Sequence, residues 1–213
     1  MSANIDDFVA ELRPYLNDCP DFIIEDMVIK VLSEVCTKTR CWQTTLAAVD
    51  VVAGTASYAS TPPANSVVVE VLKVIYSDLL LSGYDMETLD TETPAWRAST
   101  GPSATHYLGE AADTIRLIPT PTEDVTGALV VRVALRPTKT TTTVDDLLYK
   151  DEILPTVLAG TLAKLMLMPK KWADLNLAVA RGAEYRRGLT DILNWVERGY
   201  GKRSLTIKPQ LFC

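Results

Sequence analysis

Residues 172–198 read WADLNLAVARGAEYRRGLTDILNWVER, and their spacing decides how the second half of the chain folds. Leu175, Ala178, Gly182, Tyr185, Leu189, Ile192 and Val196 recur at intervals of 3, 4, 3, 4, 3 and 4 residues. Such a seam predicts one long helix from Trp172 to Arg198, lying along a neighbouring helix at a shallow angle. Arg187 and Asp191 stand one turn apart on its exposed side, a pair worth about 0.3–0.5 kcal/mol. Gly199 and Gly201 bracket its end, and Ser204 to Cys213 follow as a basic, apolar tail.

The neighbour this helix needs lies just upstream. Leu154, Val157, Leu158, Leu162, Leu165 and Met166 form a buried stripe, and Ala159, Gly160 and Ala163 between them permit close backbone approach. Pro155 falls in the first turn, where a missing N–H costs least. Pro169 stops the helix, and Lys170 and Lys171 suit the negative end of its dipole. At the other end of the chain, Ile5, Phe8, Val9 and Leu12 mark a helix from Ile5 to Leu16. A second helix begins at Asp21, with Ile23, Ile24, Met27, Val28, Val31, Leu32 and Val35 as its apolar face. Its pattern fades after Cys36.

Between these pairs the period changes to two. Trp42–Val52, Val67–Tyr76, Asp78–Leu81, Thr105–Leu108 and Thr114–Ile118 read as strands, and Met86–Thr91 as a single helical turn. Ala128–Arg136 is the clearest strand: Leu129, Val131, Val133 and Leu135 share one face, Arg132 and Arg136 the other. Thr140–Thr143 reads as a polar tether. The expected fold is α+β: an antiparallel helical bundle formed by the N- and C-terminal helix pairs, with a small antiparallel β layer inserted between them. Residues 1–40 and 150–200 make the bundle, 41–149 the insertion, and 201–213 an extended tail. Neither helix pair can bury its stripe alone, so each needs the other.

Composition narrows the function. The 213 residues are 47% hydrophobic and 23% charged, the mix of a packed globular protein and not of a disordered chain. No apolar run of about 18 residues is present, and Asp6 and Asp7 stand where a signal peptide would be basic. The expectation is a soluble, cytosolic chain with no membrane association. Net charge is −6, unevenly spread: residues 170–213 carry nine basic and four acidic side chains, 9 − 4 = +5, which leaves 12 − 23 = −11 for residues 1–169. The basic end reads either as a surface for an acidic partner, a subunit or nucleic acid, or as a solvated helix face.

Catalytic signatures are absent from the sequence. None of the ten glycines builds a nucleophile elbow, a phosphate loop or a dinucleotide fingerprint. His106 is the single histidine, and Cys19, Cys36, Cys41 and Cys213 lack the paired spacing of a zinc site or disulfide framework. The acidic pairs Asp6-Asp7 and Asp145-Asp146 fall at helix starts, where carboxylates suit the dipole. Trp42, Trp96, Trp172 and Trp195 are far apart and read as packing anchors. The expectation is a protein with no enzymatic activity, no cofactor and no metal. Arg181, Arg186, Arg187, Arg198, Lys202 and Arg203 are the only basic cluster, suited to lining a pore and not to reading bases.

Several pieces in order resemble the head-to-tail adaptor (connector or neck) proteins of tailed bacteriophages, including the tail tubular A-like group. These are Arg40-Cys41-Trp42, Tyr58 with Pro62-Pro63 leading into Val67–Val71, Pro94 with Trp96, and Gly101-Pro102 with Tyr107. Thr114–Pro121, Leu129–Val133 ending at Pro137, the helix Ile153–Met168 and the long last helix complete the set over roughly residues 20–200. The resemblance implies a structural virion protein in the neck between head and tail, assembled in the host cytoplasm. It further implies a homo-oligomeric ring, commonly of twelve copies, docked beneath the portal protein as a platform for the tail or the next neck ring, with viral DNA passing transiently through its channel. Arg198, Lys202, Arg203, Lys208, Leu211 and Phe212 are then the candidates for contact with portal or a neighbouring subunit. Arg181 and Arg187 are candidates for lining the channel. Two other readings compete: a non-catalytic carbohydrate- or peptide-binding module on a helical scaffold, and a wall-cutting hydrolase, for which no opposed carboxylates are identified.

Overall fold

The computed structural model describes residues 2–200. The chain divides into two compact units: the segment up to Cys41 together with that from Thr142 on, and the intervening Trp42–Thr141.

The first unit opens with a short strand, β1 (Ser2–Asn4), and a helix, α1 (Ile5–Leu12). Asn4 caps α1: its side chain accepts the Asp6 N–H at 3.3 Å, and Asp7 Oδ2 accepts the Asn4 N–H at 3.0 Å. Two orphan donors are satisfied in one reciprocal motif. The α-helix stops at Leu12, short of the expected Leu16, and a 3₁₀ turn containing Pro14 replaces its last residues. Helix α2 (Asp21–Thr39) outlasts its apolar pattern by a turn and ends on Arg40 in the left-handed region. Thr37 and Thr39 hydroxyls donate to the Ser33 and Val35 carbonyls at 2.7 and 2.8 Å, so the polar turn stays helical.

The second unit contains β2 (Gln43–Thr45), β3 (Val49–Val51), β4 (Ser57–Ala59), β5 (Ser66–Tyr76), β6 (Leu79–Leu80), β7 (Ser82–Tyr84), α3 (Met86–Glu92), β8 (Thr100–Gly101), β9 (His106–Ala111), β10 (Thr114–Ile118), β11 (Thr120–Pro121) and β12 (Val125–Pro137). The chain then returns to the first unit as β13 (Thr143–Asp145), α4 (Leu154–Met166) and α5 (Leu175–Glu197).

Strand β12 is the spine of a five-stranded sheet. It pairs antiparallel with β5 from Leu129↔Tyr76 to Pro137↔Ser66, and with β2 and β3 on its other edge. Leu129, Val131, Val133 and Leu135 are buried while Arg132 is exposed, the alternation a half-covered strand needs. Ser77 and Asp78 both take positive φ, folding β6 back on β5 as a tight hairpin. A second sheet runs β4-β10-β9-β7, its β7–β9 pair parallel, and β8 with β11 forms a further parallel pair.

The expected fold class is therefore corrected. Among the described residues there are thirteen strands in four sheets and five α-helices, so the chain is not a helical bundle carrying a small antiparallel β layer. The sheets are numerous and partly parallel, and one of them, β1 with β13, belongs to the helical unit itself. The supposed polar tether enters that strand: Ser2, Ala3 and Asn4 pair with Asp145, Val144 and Thr143. The physical reason is length. Strands of two or three residues show no readable period, and their stability comes from distant partners.

Candidate assembly surface

Helix α5 begins at Asp174, whose carboxylate accepts the Leu177 N–H at 3.0 Å. It lies along α4, and both pack on α2. Gly160 of α4 faces Tyr185 of α5 and Val31 of α2, where any side chain would collide; Gly188 of α5 is equally close to Thr156. Ala178, Tyr185 and Ile192 of the heptad seam are buried. Its first member is not: Leu175 is 67% exposed, and Val179 one turn on is 63% exposed.

Across these helices runs a charged clasp. Glu34 of α2 accepts from Lys164 of α4 and, at 2.6 Å, from Lys38. Burial alone would raise the Glu34 pKa, but the two lysines outweigh it and hold the carboxyl below its ordinary value. The neighbouring Tyr185 hydroxyl is pushed far up, first by burial and then by the Glu34 charge, and stays protonated.

On the other side of α5 is an open groove of about 360 Å³. Pro155, Thr156 and Ala159 of α4 line it, with Glu152, Glu184, Arg187 and Asp191 around them. Arg187, a candidate for the channel, thus shares a groove with three carboxylates. Arg181, the other candidate, is half-buried: Nη1 donates to Glu184 Oε2 at 2.7 Å, and its guanidinium carbon is 5.7 Å from the Tyr15 ring centroid.

Helix α5 ends in a paired carbonyl cap. Arg198 is exposed at the helix end and its N–H reaches the Asn194 carbonyl at 3.1 Å. Gly199, at φ +67°, donates to Val196 O at 2.9 Å, and Tyr200 to Trp195 O at 3.0 Å. The Tyr200 ring stands edge-on to Trp195 at 4.9 Å, completing a Schellman motif with its apolar contact. The Tyr200 hydroxyl then donates to Cys41 O at 3.0 Å, fixing the end of α5 to the residue following α2's cap. Sequence reasoning read Gly199 as a stop and missed Tyr200; an aromatic directly after a C-terminal glycine was the available signal. Lys202, Arg203, Lys208, Leu211 and Phe212, with the rest of the 201–213 tail, lie outside the described residues.

The remaining chemistry-bearing residues are engaged in structure. Cys19, Cys36 and Cys41 are buried and in no disulfide, and a hydrogen bond with Cys41, together with burial, pushes the Cys36 thiol well up. In the second unit His106 stands edge-on to Tyr84 at 4.8 Å, with Thr105 Oγ1 2.8 Å from Nδ1. A cleft of about 210 Å³ opens beside them. Trp96 donates to Asp90 at 2.8 Å, under the Arg97 guanidinium 4.3 Å from its ring. Among the described residues no group of three or more His, Cys, Asp or Glu is placed to hold a metal ion. Nor is any described helix long and apolar enough to cross a membrane.

A surface with helix flanks open to solvent and a pinned exit for the chain is suited to holding partners. A family model, the SU10 adaptor protein, matches residues 3–207. The chain belongs to the SU10 adaptor protein family. The match spans both units, covering every described strand and helix except the first residue of β1, and agrees with the resemblance to phage head-to-tail adaptors carried by the strand and proline pattern. No curated protein matches the chain.

Proposed function

We propose that the chain is the subunit of a head-to-tail adaptor ring in the neck of a tailed phage. It docks beneath the portal protein and presents the platform on which the tail or the next neck ring assembles, and DNA passes through its channel. The family match over residues 3–207 carries this reading. The charge split supports it, since a chain acidic over residues 1–169 and basic beyond has segments suited to unlike neighbours. Its role is structural, without catalysis; it works in the virion, after assembly in the host cytoplasm, as one of about twelve copies, the number common in adaptor rings of this resemblance.

Arg198 and the segment after it, with Lys202, Arg203, Lys208, Leu211 and Phe212, are proposed to meet the portal or the neighbouring copy. The segment has three cations, no carboxylate side chain and too little apolar surface to form a core of its own. Arg181 is paired within the chain and Arg187 stands among carboxylates, so any contact they make with passing DNA is transient and non-specific.

The test is solution mass measurement of the full chain alone and mixed with portal rings, followed by negative-stain imaging. A ring of copies on the portal is expected. Removal of residues 201–213 should leave the folded chain intact by circular dichroism and abolish that complex. Unimpaired ring formation by the truncated chain would exclude the tail from the contact, and no association of the full chain with any portal would overturn the adaptor role.

A further inference from the structure

Among the described residues of its unit, helix α5 leaves two flanks uncovered, and their chemistry differs. At about 100° per residue, Leu175, Val179, Arg186 and Leu193 fall within about 40° of one another. They lie to one side of the buried seam, and all four are exposed. Glu184, Arg187 and Asp191 fall about 140° round the helix from that stripe, in the groove whose opposite wall is Glu152, Pro155 and Ala159. One flank is an apolar ridge bearing the cation Arg186, with Glu197 at its C-terminal end. The other is a cleft floored by Pro155, Thr156 and Ala159, with three carboxylates and the single cation Arg187 at its rims.

We propose that these flanks are the two halves of one contact between copies of this chain. The Leu175–Val179–Arg186–Leu193 ridge of one copy seats in the Glu152–Glu184–Asp191 groove of the next. The occupant is a second copy because every molecule carries both halves, and Arg186 on the ridge complements a groove in which three carboxylates outnumber Arg187. Arg186 meets the Glu152 and Asp191 carboxylates, while Leu175 and Val179 cover Pro155 and Ala159. Since the halves occupy different flanks, the contact is heterologous, repeats from copy to copy and closes where the rotation between copies permits. It names the subunit contact of the ring proposed above and rests on that reading.

The test uses engineered thiols in the full chain carrying Cys213→Ser, assembled on portal rings and oxidised with diamide. Diamide takes up the two thiol hydrogens as the sulfur–sulfur bond forms. Neither Val179→Cys nor Glu152→Cys alone should cross-link. Their mixture should give covalent dimers, and the doubly substituted chain a ladder of multimers. Adding Arg186→Glu to the Val179→Cys copy should lower the dimer yield at least fivefold, and Asp191→Arg in the Glu152→Cys copy should restore it. Dimers from Val179→Cys alone would show a two-fold contact and overturn the ridge-in-groove pairing. So would cross-links to portal protein instead of a second copy. Rings formed by mass measurement without cross-links overturn this contact and leave the ring standing; a chain monomeric with and without portal overturns both.

Discussion

A methyl group added at Gly160 would lie 2.7 Å from Tyr185 Cδ2 and 2.9 Å from Val31 Cγ1, whereas one added at Gly182 would meet nothing nearer than Arg186 Nη1 at 3.9 Å. The same substitution should therefore act with opposite signs. Gly160→Ala forces three packed helices apart and is expected to destabilise by about 1–2 kcal/mol, overpacking exceeding the gain in helix propensity. Gly182→Ala should stabilise by about 0.5–1 kcal/mol, because only the unfolded chain loses freedom. Urea unfolding of both variants checks this, and equal signs would show that the helices do not meet as described. Gly160 was legible from its place among the stripe residues of its helix. The exposure of Leu175 was not, because a heptad counts spacing and cannot register where the partner helix stops.

At the scale of elements, α2 and α4 are joined by the Glu34–Lys164 pair, with Lys38 alongside. The folded Glu34 pKa lies below its ordinary value of 4.5. Its contribution is thus complete above about pH 4.5 and is lost as pH falls through the lower, folded value. Glu34→Gln should cost about 1–2 kcal/mol at pH 7, and the difference from the parent chain should shrink as pH drops below 4.5. A gap that persists at pH 2.5 would assign the loss to packing and not to charge. A similar reading applies to α1: Asn4→Ala should cost about 1 kcal/mol, measured by thermal melting, since it removes the side-chain acceptor at the helix start. Among the strands, β12 was legible because Leu129, Val131, Val133 and Leu135 recur at every second position within it. β7, β8 and β11, at two or three residues, were not; their parallel partners are set by tertiary pairing that no local pattern records.

The whole molecule divides its charge, −11 over residues 1–169 against +5 beyond. Association between copies, and with the portal, is expected to weaken when sodium chloride rises from about 0.05 to 0.5 M, as screening shortens to a few ångströms. Sedimentation at both salts measures it, and indifference to salt would put the contact down to apolar surface alone. The family resemblance could be seen in the sequence. The groove could not: Glu152 and Asp191 are 39 positions apart, and only the antiparallel return of α5 along α4 brings them to one cleft. The Tyr200 bond to Cys41 O also has a mechanical meaning. Any pull delivered through residues beyond 200 arrives at a point tied to both α5 and the end of α2. Peeling α5 away from its tip would then have to break the tie to α2 first.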